Sequence, residues 1–147
     1  SEHMKPPLKP LLVLFTLFLF VQSAHADQVS EGLKRARAQN KELVMYFYSQ
    51  YCPYCDAMDR DVLGDGAVSA ALKKEFVYIR VDVDKMPGYG RKYQIRGYPT
   101  TVLAESGGRV IAKIPGYIHK NDFWKVLTYL KGKHYRTMGL GDFLQSG

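Results

Sequence analysis

The chain has two cysteines, Cys52 and Cys55, held three positions apart by Pro53 and Tyr54. The spacing fits the start of a helix. With Cys52 at the N-cap, Pro53 takes the first helical position, where its missing N–H costs nothing and its fixed φ suits the helix. A residue before proline is pushed out of the helical region, as an N-cap must be. The Cys52 sulfur then faces the free N–H groups of the first turn, which favour thiolate over thiol. Cys55 falls one turn further in, within disulfide reach. The chemistry this offers is thiol–disulfide exchange, with Cys52 as nucleophile and Cys55 as resolving thiol. As a staple the pair is poor: closing so short a loop contributes about 2 kcal/mol in the chain-entropy account, against about 4.7 for a 100-residue loop. Zinc needs more ligands than two thiols, and His119 and His134 are distant in sequence and too far apart for finger spacing. An alternative of another class is a non-enzymatic metal or cluster module using the Cys pair of two chains in a dimer.

These residues sit in a chain of 147 residues that is 46% hydrophobic and 24% charged, proportions that exclude disordered and collagen-like classes. Formal net charge is +7 with pI near 9.4. No Lys/Arg cluster of nucleic-acid type stands out, so no nucleic-acid partner is expected, only a mild preference for acidic partners. Ser1-Glu2-His3 ahead of Met4 reads as a vector-derived scar. Lys5 and Lys9, the apolar run 11–21 and Ala24-His25-Ala26 then have the form of a secretory signal peptide cleaved near Ala26. The run is too short for the roughly 20 residues that span a bilayer. Export to the periplasm is therefore expected, with 1–26 set aside and 27–147 forming one domain with a C-terminal tail, 132–147.

The positioning elements follow from hydrophobic period. Val29, Leu33 and Ala36 fall at helical spacing within 29–40. Leu43–Tyr48 is a continuous apolar run of strand length that delivers the chain to Cys52. Cys55, Met58, Val62 and Leu63 make one helical face, Gly64-Asp65-Gly66 breaks it, and Val68–Lys74 resumes it. Phe76–Val83 predicts a second buried strand and 88–94 a short helix. Thr100–Ala104 and Val110–Ile114 predict a hairpin through Ser106-Gly107-Gly108. Asn121 is placed to cap a last helix with Phe123, Val126, Leu127 and Leu130 as its stripe and Gly132 as its end. The order α-β-α-β-α-β-β-α predicts an α/β domain with a parallel start and an antiparallel edge.

Three stretches resemble the thioredoxin-fold thiol-disulfide oxidoreductases, over about residues 40–131. They are the strand into Cys52-Pro53-Tyr54-Cys55, then Arg80-Val81-Asp82-Val83-Asp84, then Arg91-Lys92-Tyr93-Gln94-Ile95-Arg96-Gly97-Tyr98-Pro99-Thr100. The last is close to the thioredoxin pattern Lys-Tyr-x-Ile-Arg-Gly-x-Pro-Thr. The resemblance implies a thioredoxin fold with a central mixed sheet of about four strands flanked by helices. It implies a cis Tyr98–Pro99 bond facing the disulfide, with Tyr98 backbone pairing to substrate. Tyr51, Pro53, Tyr54, Tyr98 and Pro99 are the implied substrate-binding residues. Pro-Tyr between the cysteines is the glutaredoxin dipeptide, but the glutathione-pocket pattern after Pro99 is missing, so glutathione binding is not expected. The motif, the helical region 56–74 and the tail resemble exported thioredoxins associated with sulfur oxidation.

The implied function is a periplasmic reductase of protein disulfides, a monomer needing no cofactor beyond its dithiol and resupplied by a membrane thiol reductant. A same-fold alternative is an oxidant or isomerase. The chain departs from the family in one place: thioredoxins carry a buried Asp six residues before the first Cys, where this chain has Tyr46, and a partnering Lys where it has Arg80. Asp56 is a candidate substitute base, though acidic residues in a first turn commonly serve the helix dipole. Tyr48, Tyr51, Tyr54 and Tyr98 are expected to form an aromatic groove for substrate. Trp124 is expected to pack beside the last helix's stripe. Tyr135, Met138, Leu140, Phe143 and Leu144 can pack back on the domain or form a docking segment.

Overall fold

Leu43–Tyr48 (β1) has no polar residue to face water, and its first five residues are wholly buried. Such a strand must lie inside a sheet with both faces covered. In the computed structural model, which describes residues 2–4 and 26–147, it does. The segment read as a leader lies outside the described residues apart from Glu2, His3, Met4 and Ala26. β1 runs parallel to Val77–Asp82 (β2) and antiparallel to Thr100–Ala104 (β3), and β3 pairs antiparallel with Val110–Pro115 (β4). The order across the sheet is β2-β1-β3-β4.

Strand alternation divides the core in two. Leu43, Met45 and Phe47, with Val102 and Ala104, face the helix Gln28–Gln39 (α1) and the short helix Pro87–Lys92 (α4). Val44 and Tyr46, with Leu103, face the opposite helical layer. That layer comprises Pro53–Met58 (α2), a π-helical turn Asp59–Leu63, Gly66–Glu75 (α3), Lys120–Lys131 (α5) and Leu140–Gln145 (α6). Each large apolar side chain buried here is worth roughly 1.5–3 kcal/mol. Among the described residues no helix is long and apolar enough to cross a membrane.

The predicted elements are found at or within two residues of their expected ends. Cys55, Met58, Val62 and Leu63 form the buried face foreseen, but the helix widens before it stops, with Gly64 N–H reaching back five residues to the Asp59 carbonyl at 2.7 Å. Asp65 then caps α3, accepting from Ala67 and Val68 N–H at 3.1 Å each. The stretch between β1 and β2 is thus two helices, broken at Gly64-Asp65-Gly66 as expected, where the predicted element order counts one.

Two local expectations are corrected. Asn121 does not cap α5: Phe123 N–H already bonds the His119 carbonyl at 2.9 Å, so the helix starts earlier and Asn121 lies in its first turn. Trp124 is 36% exposed, because it sits one position off the Phe123 stripe and so about 100° around the helix from it. The tail, whose destination the sequence leaves open, packs back. Phe143 lies 5.3 Å from Tyr129 and 4.7 Å from His134, ring to ring. Tyr129 O–H donates to the Met138 carbonyl at 2.9 Å. Buried Glu42 is satisfied by Lys133 and by Tyr135 O–H.

Candidate active site

The sheet gathers the site at one end. β1 finishes at Tyr48 and releases the Cys motif; β2 finishes beside it, with Val83 N–H bonding the Tyr48 carbonyl at 3.0 Å. Antiparallel pairing of Phe47 with Thr100 brings Pro99, just before β3, to that same end. Asp84 ties the loops together. One carboxylate oxygen accepts from Ser49 O–H at 3.0 Å and from Gln50 N–H at 2.8 Å, immediately ahead of the motif. The sequence places Asp84 within a family stretch but gives it no role; a loop acceptor of this kind has no spacing signature. Asp84→Ala removes both bonds. We expect roughly a threefold to tenfold fall in kcat/KM on a peptide disulfide, since positioning errors are felt at the reacting atoms. Comparing that rate with the variant's thermal midpoint separates misplacement from unfolding.

Cys52 is the N-cap of α2, in extended conformation, with Pro53 in the first turn. Cys52 and Cys55 are joined as a disulfide, Cα to Cα 5.2 Å. The Cys52 sulfur accepts the Cys55 N–H at 3.2 Å. The two sulfurs are not equivalent: Cys52 is 8% exposed and Cys55 only 1%. An incoming thiolate or disulfide meets Cys52 first. Around them Tyr51 is 95% exposed, Tyr54 69% and Tyr98 40%. Pro53 is exposed and Pro99 buried. The Tyr98–Pro99 peptide is cis. Its loop is held by Gly116 N–H on the Pro99 carbonyl at 2.7 Å and by Thr100 O–H on the Gly97 carbonyl at 2.8 Å.

Tyr48 does not join this exposed aromatic surface. It turns to the opposite helical layer and stacks on Tyr46, centroids 6.0 Å apart. Strand alternation puts it on the face of Tyr46, and Arg80 covers both rings there, its guanidinium 4.7 Å from the Tyr48 ring centre and 5.2 Å from that of Tyr46. Arg80 grips Asp59 with both terminal nitrogens, at 2.6 and 3.0 Å, and donates to the Tyr78 hydroxyl oxygen at 3.2 Å. The hydrogen bonds to Asp59 hold its pKa above the ordinary arginine value. Tyr46 O–H in turn donates to the Cys55 carbonyl at 3.4 Å. Burial, helped by the Asp59 charge, pushes the Tyr46 phenol well above its usual range. Tyr46 is therefore neutral at working pH and accepts no proton from Cys55.

The two departures from the family pattern are thus one change. A buried tyrosine beside a planar cation needs arginine, which stacks and forks where lysine cannot. The carboxylate that completes the set is Asp59, four residues after Cys55. Asp56 is exposed. Among the described residues no group of three or more His, Cys, Asp or Glu side chains could hold a metal ion. His119 packs edge-on against Tyr117 at 5.0 Å, and His134 against Phe143.

Comparison with known proteins gives one consistent answer. A family model described as a thioredoxin-like domain matches residues 29–131. Thioredoxin of Mycoplasmoides gallisepticum is 30% identical over 96 residues, 65% of this chain and 90% of that protein. The thiol:disulfide interchange protein DsbD of Vibrio vulnificus is 24% identical over 110 residues, 71% of this chain but only 18% of its own length. The solution structure of a thioredoxin from Thermus thermophilus superposes with a TM-score of 0.59 at 33% identity, covering 67% of this chain and 79% of that one.

Proposed function

This chain belongs to the thioredoxin-like family and is a thiol-disulfide oxidoreductase, and from that premise we propose that it works as an exported, periplasmic reductase of protein disulfides. Enzymes of this family use no cofactor beyond their redox-active cysteines. The observation that carries the reading is the inequality of the two sulfurs at the helix start, one reachable and one sealed behind it.

The cycle follows from that inequality. Cys52 thiolate attacks a substrate disulfide; a new sulfur–sulfur bond forms, the old one breaks, and one substrate thiolate leaves. Cys55 gives up its proton to solvent and attacks the Cys52 sulfur, releasing the second substrate thiolate. Two electrons pass to the substrate, and the Cys52–Cys55 disulfide remains. Tyr51, Pro53, Tyr54, Tyr98 and Pro99 present the surface along which an extended substrate segment lies, and the protein acts as a monomer.

Direction depends on how strongly the Cys52 thiolate is held. The support is modest. Pro53 offers no N–H, the one N–H on the sulfur is that of Cys55, and Asp56 puts a negative charge in the same first turn. Among the described residues no cation hydrogen-bonds either sulfur. A weakly held thiolate favours giving electrons away. An exported reductase needs a supply, because the periplasm is kept oxidising. A membrane thiol reductant fits that need, and likeness to an interchange protein supports it. Insulin reduction driven by dithiothreitol is the direct test: acceleration of turbidity by residues 27–147 is expected, and the uncatalysed rate overturns the reading.

A further inference from the structure

Between Lys85 and Asn121 the chain carries seven Lys and Arg residues and one carboxylate, Glu105. Glu105 is taken by Arg109 at 2.7 Å, and Lys120 pairs with Asp65 at 3.2 Å. Lys85, Arg91, Lys92, Arg96 and Lys113 make no ion pair among the described residues.

These cations are not scattered. Three adjoining clefts run across this face, and all three share Gln94, which turns the chain out of α4 in the left-handed region at φ 54°. The first is bounded by Tyr98, Arg91 and Arg96. The second passes from Arg96 to Lys113. The third continues from Lys113 to Lys92 and Arg37. No Asp or Glu lines any of them. Lys113 is braced in place by its bond to the Tyr93 carbonyl at 3.2 Å. The track therefore begins at Tyr98, beside cis Pro99, and leads away from the redox site along a line of unpaired positive charge. The stretch after the Cys motif offers no comparable run of unpaired charge: Asp59 is held by Arg80, Asp61 by Arg60 and Asp65 by Lys120, which leaves Asp56.

We propose that this track docks an acidic segment of the partner protein, flanking the disulfide that Cys52 exchanges. The proposal rests on the oxidoreductase reading and adds a substrate class to it. Complementary charge acts mainly by raising the association rate and by rejecting wrongly charged partners. Both effects fade with salt, because exposed charges are screened beyond about 8 Å at 0.15 M ionic strength.

The test uses two peptides with the same internal disulfide, one flanked by Glu residues and one by Lys. Each rate is normalised to that of the same protein on hydroxyethyl disulfide, which is small and uncharged. For the intact protein at low salt, kcat/KM on the acidic peptide is expected to exceed that on the basic one by about tenfold or more, within the usual range of electrostatic steering. That ratio falls towards one at about 0.5 M salt. In R96E/K113E it inverts at low salt. Equal normalised rates at low salt, or a ratio that salt does not change, overturn the acidic track and leave the exchange chemistry standing. No turnover of hydroxyethyl disulfide and none of either peptide overturns the reductase reading itself. The comparison between peptides needs no variant, so a poorly folding double substitution does not rescue the idea.

Discussion

Cys55→Ser, incubated reduced with a peptide disulfide, will accumulate a covalent adduct on Cys52 at close to one peptide per protein. Burial is the reason. Cys52 can be reached from solvent and Cys55 cannot, so the first exchange proceeds in the variant and the second has no thiol to perform it. A serine hydroxyl, with its far higher pKa, does not displace the peptide. The adduct is read by intact mass and released by dithiothreitol. Cys52→Ser is expected to show the complementary result: catalysed insulin reduction falls to the uncatalysed rate and no adduct forms, because Cys55 lies sealed behind the motif. If Cys52→Ser forms the adduct and Cys55→Ser does not, the two thiols act in the reverse order, with Cys55 as the nucleophile. If neither forms one, exchange does not pass through a mixed disulfide at this pair.

The second large effect falls on stability. Arg80→Ala removes the cation that covers two tyrosine rings and holds Asp59 with two hydrogen bonds. Arg80 and Asp59 are both partly exposed, so the ion pair itself contributes no more than about 1 kcal/mol. Each cation–ring contact adds about 0.5–1 kcal/mol, and the aliphatic stem adds packing. We expect a total loss of about 2 kcal/mol, seen as a lower denaturant midpoint at unchanged slope. Arg80→Lys keeps the charge but loses the fork and the flat stacking surface, and falls about midway. A double-mutant cycle with Asp59→Ala isolates the pair and should give a coupling of about 1 kcal/mol or less. A loss under roughly 0.5 kcal/mol for Arg80→Ala, the usual range for plain surface changes, contradicts a structural role for the cluster.

Much of the fold and the site is legible in the sequence, for definite reasons. β1 and β3 are unbroken runs of apolar and β-branched residues, and such runs have few alternatives to a buried strand. Cys-Pro-Tyr-Cys at a strand end carries its own helix start. Pro99 needs more than local chemistry, because an isolated proline does not announce a cis bond; only the stretch around it does. What escapes reading depends on contacts between distant residues. Arg80 and Asp59 meet across 21 positions, and no periodicity pairs them. Nearness to the motif groups Tyr48 with the exposed tyrosines, yet strand alternation puts it on the face of Tyr46. The tail is fixed by Glu42, whose buried carboxylate requires Lys133 and Tyr135 from the far end of the chain. The start of α5 is misplaced by type alone because Asn121 is a good cap, while the backbone bond from Phe123 to His119 decides the matter.

The reduction potential of the Cys52–Cys55 pair, measured on residues 27–147 against a dithiothreitol or glutathione buffer, tests the central claim most directly. A Cys52 sulfur that accepts one N–H in the disulfide, with Asp56 in the same turn, predicts a value near that of thioredoxin, about −270 mV, the potential of a protein that gives electrons to its substrates. A value near −120 mV would mean that the reduced form is specially stabilised and that the protein inserts disulfides rather than removing them, contradicting the direction proposed.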